Sequence, residues 1–132
     1  MAKWVEVCSV DDLQPDSGVC ALVDGEQVAI FCIQEPVRET LIESHPPLDA
    51  KVYAVGNYDP IGNANVLSRG VVGDIRKQPV VASPLYKQHF NLQTGVCLED
   101  ETVKIPVYAT RIENGSVQVK LSSMPHGGVH AL

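Results

Sequence analysis

The side chains able to do chemistry are few and scattered. Ser83 sits in Ser83-Pro84-Leu85-Tyr86, after the apolar run Val80-Val81-Ala82 and before an extended stretch through Phe90 that ends at Thr94-Gly95. A serine nucleophile needs an adjacent base and commonly a Gly-x-Ser-x-Gly elbow, and Ser83 has neither. Cys8, Cys20, Cys32 and Cys97 lie far apart, with no Cys-x-x-Cys spacing and with apolar neighbours, so buried free thiols are the expectation. His89 follows Lys87-Gln88 and reads as an exposed strand residue, while His45, His126 and His130 fall in a polar loop or the tail. A metal site built from these histidines would need an order that the tail is not expected to have.

The elements that carry these residues read as short strands. Lys3 to Val10 is a first strand, and Ser9 caps a single helical turn whose first residues include Asp11 and Asp12. Cys20 to Val23, Asp24-Gly25 and Glu26 to Ile33 form a hairpin, because Asp-Gly supplies the positive φ angles of a type I′ turn. Its second strand is apolar at consecutive positions, which predicts cover on both faces. Residues 34 to 50 are polar and proline-punctuated, and predict a loop. Lys51 to Val55 is another strand, and Asn65 to Gly70 a turn or short helix stopped by glycine. Val71-Val72 and Pro79 to Ala82 flank a charged loop from Asp74 to Gln78. Val103, Ile105 and Val107 alternate with polar positions as a half-buried strand, joined through Asn114-Gly115 to a last strand, Ser116 to Leu121. Residues 122 to 132 predict a flexible tail after a domain spanning 1 to 121. The fold class is all-β, a small sandwich or barrel of short antiparallel strands.

A chain of 132 residues makes one domain. Its net charge of −6, with ten dispersed basic residues, argues against nucleic-acid binding. No apolar run approaches the ~18 residues of a membrane span. The amino terminus lacks the pattern of a secretory signal, so the cytoplasm is the expected compartment and a disulfide framework is not expected.

Two stretches, Asp59-Pro60-Ile61 and Ser83-Pro84-Leu85-Tyr86, each follow a strand and resemble the two cluster-binding loops of Rieske iron–sulfur domains. Phe90, Thr94 and Gly95 fit the same pattern. The four ligand positions hold Asp59, Ile61, Ser83 and Tyr86. A Rieske [2Fe–2S] cluster takes two thiolates and two imidazoles, so the expectation is a Rieske-like domain with no cofactor of its own. Asp59 and Tyr86 are expected to join the two loops by a phenol–carboxylate hydrogen bond.

Lys3 to Leu121 is similar, more specifically, to the small subunit of bacterial NAD(P)H-dependent assimilatory nitrite reductases. Gly18 to Leu22, Glu26 to Phe31, Val66 to Gly70, Ala82 to Leu85 and Gly95 to Glu101 carry that resemblance. It implies a large-subunit partner holding FAD, siroheme and a [4Fe–4S] cluster, with this chain in a non-redox supporting role. Arg69, Arg76 and Lys87, expected to flank the loops, are candidates for docking an acidic patch on that partner; ordinary surface charge is the plainer reading. A free-standing Rieske-type electron carrier and a regulatory module of another oxidoreductase are the alternatives.

Overall fold

The computed structural model describes residues 3–34 and 50–121. The loop expected over 34 to 50, apart from its end residues, and the tail expected over 122 to 132 lie outside them, as do His45, His126 and His130.

Eleven strands are present among the described residues: β1 (Lys3–Ser9), β2 (Ser17–Val23), β3 (Glu26–Gln34), β4 (Ala50–Gly56), β5 (Tyr58–Asp59), β6 (Ala64–Asn65), β7 (Val71–Ile75), β8 (Gln78–Ala82), β9 (His89–Asn91), β10 (Val107–Glu113) and β11 (Ser116–Leu121). Six form one antiparallel sheet in the order β1-β11-β10-β4-β3-β2, three a second sheet, β7-β8-β9, and β5-β6 a small ribbon. The only helical pieces among these residues are two single 3₁₀ turns, Val10–Asp12 and Leu67–Arg69. The fold is all-β, as its alternating patterns predict.

Local chemistry explains most of these elements. Ser9 caps the first 3₁₀ turn: its hydroxyl accepts from the Asp11 N–H, and Asp12 reaches back to the Ser9 N–H at 3.1 Å. Asp24-Gly25 and Asn114-Gly115 both take positive φ at both positions, the type I′ geometry their sequences favour. β3 is buried on both faces. Ala29 and Phe31 pack toward Val81, Phe90 and Leu92 of the three-stranded side, while Val28 and Ile30 pack toward Val117, Val119 and Leu13 inside the six-stranded sheet. β4 divides likewise, Val55 on the first side and Ala54 on the second. These two strands are the shared wall between the cores, which is why their sequences lack a polar alternation.

Two expectations need correction. The charged loop at 74 to 78 is a tight turn, with Arg76 (φ 53) and Lys77 (φ 67) between Ile75 and its partner Gln78. Two long side chains in left-handed backbone carry none of the usual Asn-Gly signal, so the strands run longer than the pattern predicts. Val103 and Ile105 alternate inward, but the strand begins only at Val107; the segment before it makes an isolated bridge, Val96 to Lys104. Gly70 does end the second 3₁₀ turn, though with an extended φ of −76 rather than left-handed. It stands there because a Cβ would lie 2.4 Å from the Ala82 carbonyl oxygen.

Gly95 is more constrained still. Its φ is +80 and a Cβ would come within 2.2 Å of the Ile105 carbonyl oxygen, whereas Gly73 in β7 has open space around it. Gly95→Ala is therefore expected to lower stability by about 2 kcal/mol or more, and Gly73→Ala to leave it unchanged or raise it by up to ~1 kcal/mol, both read by urea unfolding.

Candidate functional site

The first loop of interest follows β4 and β5 and the second follows β8, and a bond between Asp59 and Ser83 brings the two together. Asn57, between β4 and β5, sets their base. It is buried, donates through Nδ2 to Gln27 Oε1 at 3.0 Å, and accepts on Oδ1 from the Ser68 N–H at 2.7 Å. Its main chain is bonded as well, to Gln27 O and from Leu67 N–H. One amide thus ties the β2–β3 hairpin to the turn before Gly70.

Asp59 builds the first loop around itself. Its carboxylate is fully buried and accepts through Oδ1 from the N–H groups of Ile61 (2.9 Å) and Gly62 (3.0 Å), while its main-chain carbonyl accepts from Asn63 N–H at 2.7 Å. This is an aspartate turn, and Asn63 tolerates the positive φ (59) that closes it. The second loop closes by two main-chain bonds, Lys87 N–H to Ser83 O and Ser83 N–H to Gln88 O, with the Ser83 hydroxyl accepting from Leu85 N–H at 3.2 Å. Lys87 is held at φ 67.

The loops are joined by a single buried side-chain bond. Ser83 Oγ donates to Asp59 Oδ2 at 2.5 Å, the short distance of a charge-assisted hydroxyl–carboxylate bond. Beside it Gly62 meets Leu85: a Cβ at residue 62 would lie 2.5 Å from Leu85 Cδ1 and 2.9 Å from Asp59 Oδ2. The expected Asp59–Tyr86 bond is absent. Tyr86 is exposed, and Ser83, whose side chain is short enough to fit the closed loops, takes the role assigned to the phenol.

This donor set does not fit a Rieske cluster. Ile61 has no lone pair, both oxygens of Asp59 are engaged inside the protein, and the Ser83 hydroxyl is spent on Asp59 and Leu85. The family cluster needs two thiolates and two imidazoles, and neither loop holds a cysteine or histidine. Among the described residues no three His, Cys, Asp or Glu side chains are grouped to hold a metal.

The remaining candidates stand elsewhere. Arg69 is exposed in the last turn before Gly70, and Lys87 closes the second loop, so both lie beside the clasp. Arg76 does not: it is at the far end of the β7–β8 hairpin, roughly 15 Å along strands rising about 3.3 Å per residue. There it borders an open cleft of about 560 Å³ with Glu99 and Glu101. His89 is half-buried rather than exposed, its Nδ1 2.7 Å from Glu99 Oε2 and its main-chain N–H on Oε1 at 2.8 Å. Burial pushes the Glu99 carboxyl up, but these bonds from His89 outweigh it and hold the group below its ordinary value. Of the cysteines, Cys97 is buried and Cys8 and Cys32 are half-buried, each thiol pushed up chiefly by burial. Cys20 departs from the expectation: it is exposed, within reach of Gln27 and Asn57. Sequence reasoning missed Asn57 and the Asp59–Ser83 bond. The signal for part of it was present, since aspartate followed at three residues by glycine is aspartate-turn chemistry.

Comparison with known proteins places this geometry. The family model for the Rieske-like [2Fe-2S] domain matches residues 3–120. The nitrite reductase (NADH) small subunit of Salmonella typhimurium is 41% identical over 120 residues, covering 91% of this chain and 99% of that one. A crystal structure described as a putative NADH-dependent nitrite reductase small subunit from Mycobacterium tuberculosis superposes with a TM-score of 0.79 at 39% identity, covering 94% of this chain and 99% of the other. The chain belongs to the Rieske-like domain family and, within it, to the nitrite reductase small subunits. A stretch of the Klebsiella oxytoca nitrite reductase [NAD(P)H] large subunit is also similar, 32% identical over 116 residues that cover 88% of this chain and 11% of that protein.

Two outcomes test the site. Ser83→Ala leaves a buried carboxylate short of one donor and is expected to cost about 1–3 kcal/mol, whereas Tyr86→Phe should leave the melting temperature unchanged. Because the folded Glu99 carboxyl lies below its unfolded value, its contribution is present above roughly pH 4.5 and is lost as pH falls through the lowered value. The pair is partly exposed, so the contribution is under about 1 kcal/mol. Glu99→Gln should flatten that part of the acid limb in urea titrations taken between about pH 5 and pH 3.

Proposed function

We propose that this chain is the non-redox small subunit of a cytoplasmic NAD(P)H-dependent nitrite reductase, assembling with a large subunit and supporting its reduction of nitrite to ammonium. One observation carries the reading: the four cluster-ligand positions hold Asp59, Ile61, Ser83 and Tyr86, and the loops are shut by the Asp59–Ser83 bond. An electron carrier needs a group that accepts an electron reversibly, and these side chains supply none. FAD, siroheme and a [4Fe–4S] cluster belong, on this reading, to the large subunit, and no cofactor belongs to this chain.

Assembly is supported by the Klebsiella oxytoca large subunit, which carries a stretch similar to most of this chain within its own length. Arg69 and Lys87 are the docking cations beside the loops; Arg76, at the opposite end, would be a separate contact. Among the described residues no helix is long and apolar enough to cross a membrane.

The test is NAD(P)H-dependent nitrite reduction by the large subunit with and without the chain, alongside iron and acid-labile sulfide analysis of the chain alone. The expected outcome is an iron-free chain that raises turnover or the thermal lifetime of the large subunit. Bound iron and sulfide in stoichiometric amounts would sink the non-redox assignment.

A further inference from the structure

Exposed apolar surface is concentrated at the clasped loops. Of the seven large hydrophobic side chains that stand exposed among the described residues, four lie here: Tyr58 (46%), Val71 (72%), Leu85 (44%) and Tyr86 (64%). They adjoin one another through the backbone. Tyr58 bonds Asn63 within the first loop, Leu85 rests against Gly62, and Val71 pairs with Ala82, the residue before Ser83. Single exposed hydrophobics are ordinary, but a group rich in tyrosine on a fixed support has the composition of an interface centre.

Charge sharpens the reading. The chain carries −6 in total, yet residues 57–72 and 83–88 contain only Asp59, Arg69 and Lys87 as charged groups. Asp59 is buried and faces inward donors, so the charges these two segments present outward are the cations Arg69 and Lys87. Lys87 is moreover kept at φ 67, a conformation glycine adopts without cost. A lysine there costs about 1 kcal/mol relative to glycine.

We propose that this tip, with Tyr58, Leu85 and Tyr86 at its centre and Arg69 and Lys87 at its rim, is the face that docks on the nitrite reductase large subunit, and that it fits an apolar depression bordered by carboxylates. The proposal rests on the small-subunit reading and adds to it the face and the chemistry of the partner surface. A second copy of the chain is a poor occupant in a two-fold arrangement, because the cationic rims would then meet one another.

The experiment measures binding of the purified, cofactor-loaded large subunit to the chain and its variants by biolayer interferometry at low and high salt, with melting temperatures and light-scattering masses alongside. Tyr86→Asp and Lys87→Glu are each expected to weaken binding by about tenfold or more while the melting temperature holds. Lys87→Gly should keep or raise the melting temperature and still weaken binding. Ile112→Asp, a change at an exposed apolar residue of β10 away from the loops, should bind as the wild type does, and wild-type binding should weaken with salt. Wild-type binding by the Tyr86→Asp, Lys87→Glu double variant would overturn this face alone. A wild-type mass of two copies, halved by Tyr86→Asp, would give the face to self-association and overturn the proposal. Failure of the wild-type chain to bind the large subunit at all would remove both the small-subunit reading and the face built on it.

Discussion

A carboxylate buried without water must have its oxygens met by donors, and Asp59 has three: two main-chain N–H groups from its own loop and the Ser83 hydroxyl from the other. Each is a bond to a group that is charged when ionised, the stronger class, at about 1.5–3 kcal/mol. The arrangement is cooperative in a simple sense. The N–H groups of Ile61 and Gly62 point at Asp59 Oδ1 only while the aspartate turn is formed, and Ser83 finds Oδ2 only while that turn holds Asp59 in place. Removing the carboxylate orphans three donors at once. In a cluster-bearing domain, metal–ligand bonds would join the two loops. Here a hydroxyl and a carboxylate do it, and because both side chains are short, the loops close until Leu85 touches Gly62.

That clasp works because the rest of the fold delivers both loops to one place. β3 and β4 form the wall common to the two cores, and β8 packs Val81 against it from the three-stranded side. The joints are close. Gly18 lets β2 approach the Ser68 carbonyl, where a Cβ would sit 2.4 Å away, and Asn57 bonds across to Gln27 and Ser68. A loop base fixed by main-chain contacts and a buried amide has little freedom to lose when its tip meets a partner, which is how rigid presentation favours association.

What could be read from sequence follows from where the information is local. The Asp24-Gly25 and Asn114-Gly115 turns, the Ser9 cap and the doubly apolar β3 are each determined by neighbours within a few residues, and all stand as their patterns imply. The Arg76-Lys77 turn was illegible because its residues oppose the backbone they adopt; only the pairing of β7 with β8 holds them there. Cys20 resembles its buried neighbours in sequence, but it lies on β2, the last strand of the six-stranded sheet, and is exposed there. The positions of the two loops were legible from resemblance, and the absence of cluster ligands from chemistry. Which side chain joins them was not. Tyr86 and Ser83 are both hydroxyl donors to a carboxylate, and the choice depends on how far the loops close, a tertiary distance set by Gly62 and Leu85.

The same closure bears on what the loops are for. A redox tip needs its cofactor near the surface and leaves the surrounding side chains to tune it. This tip has turned its one acid inward and placed aromatic and aliphatic groups outward, with cations beside them. Tyrosine provides large contact area for few rotatable bonds, and a salt-sensitive cationic rim steers encounter more than it adds affinity. An electron carrier gains from a contact that forms and releases quickly. A supporting subunit gains from one that persists, and persistence comes from apolar anchors on a support that does not have to be ordered at the moment of binding. The Asp59–Ser83 bond supplies that order in advance.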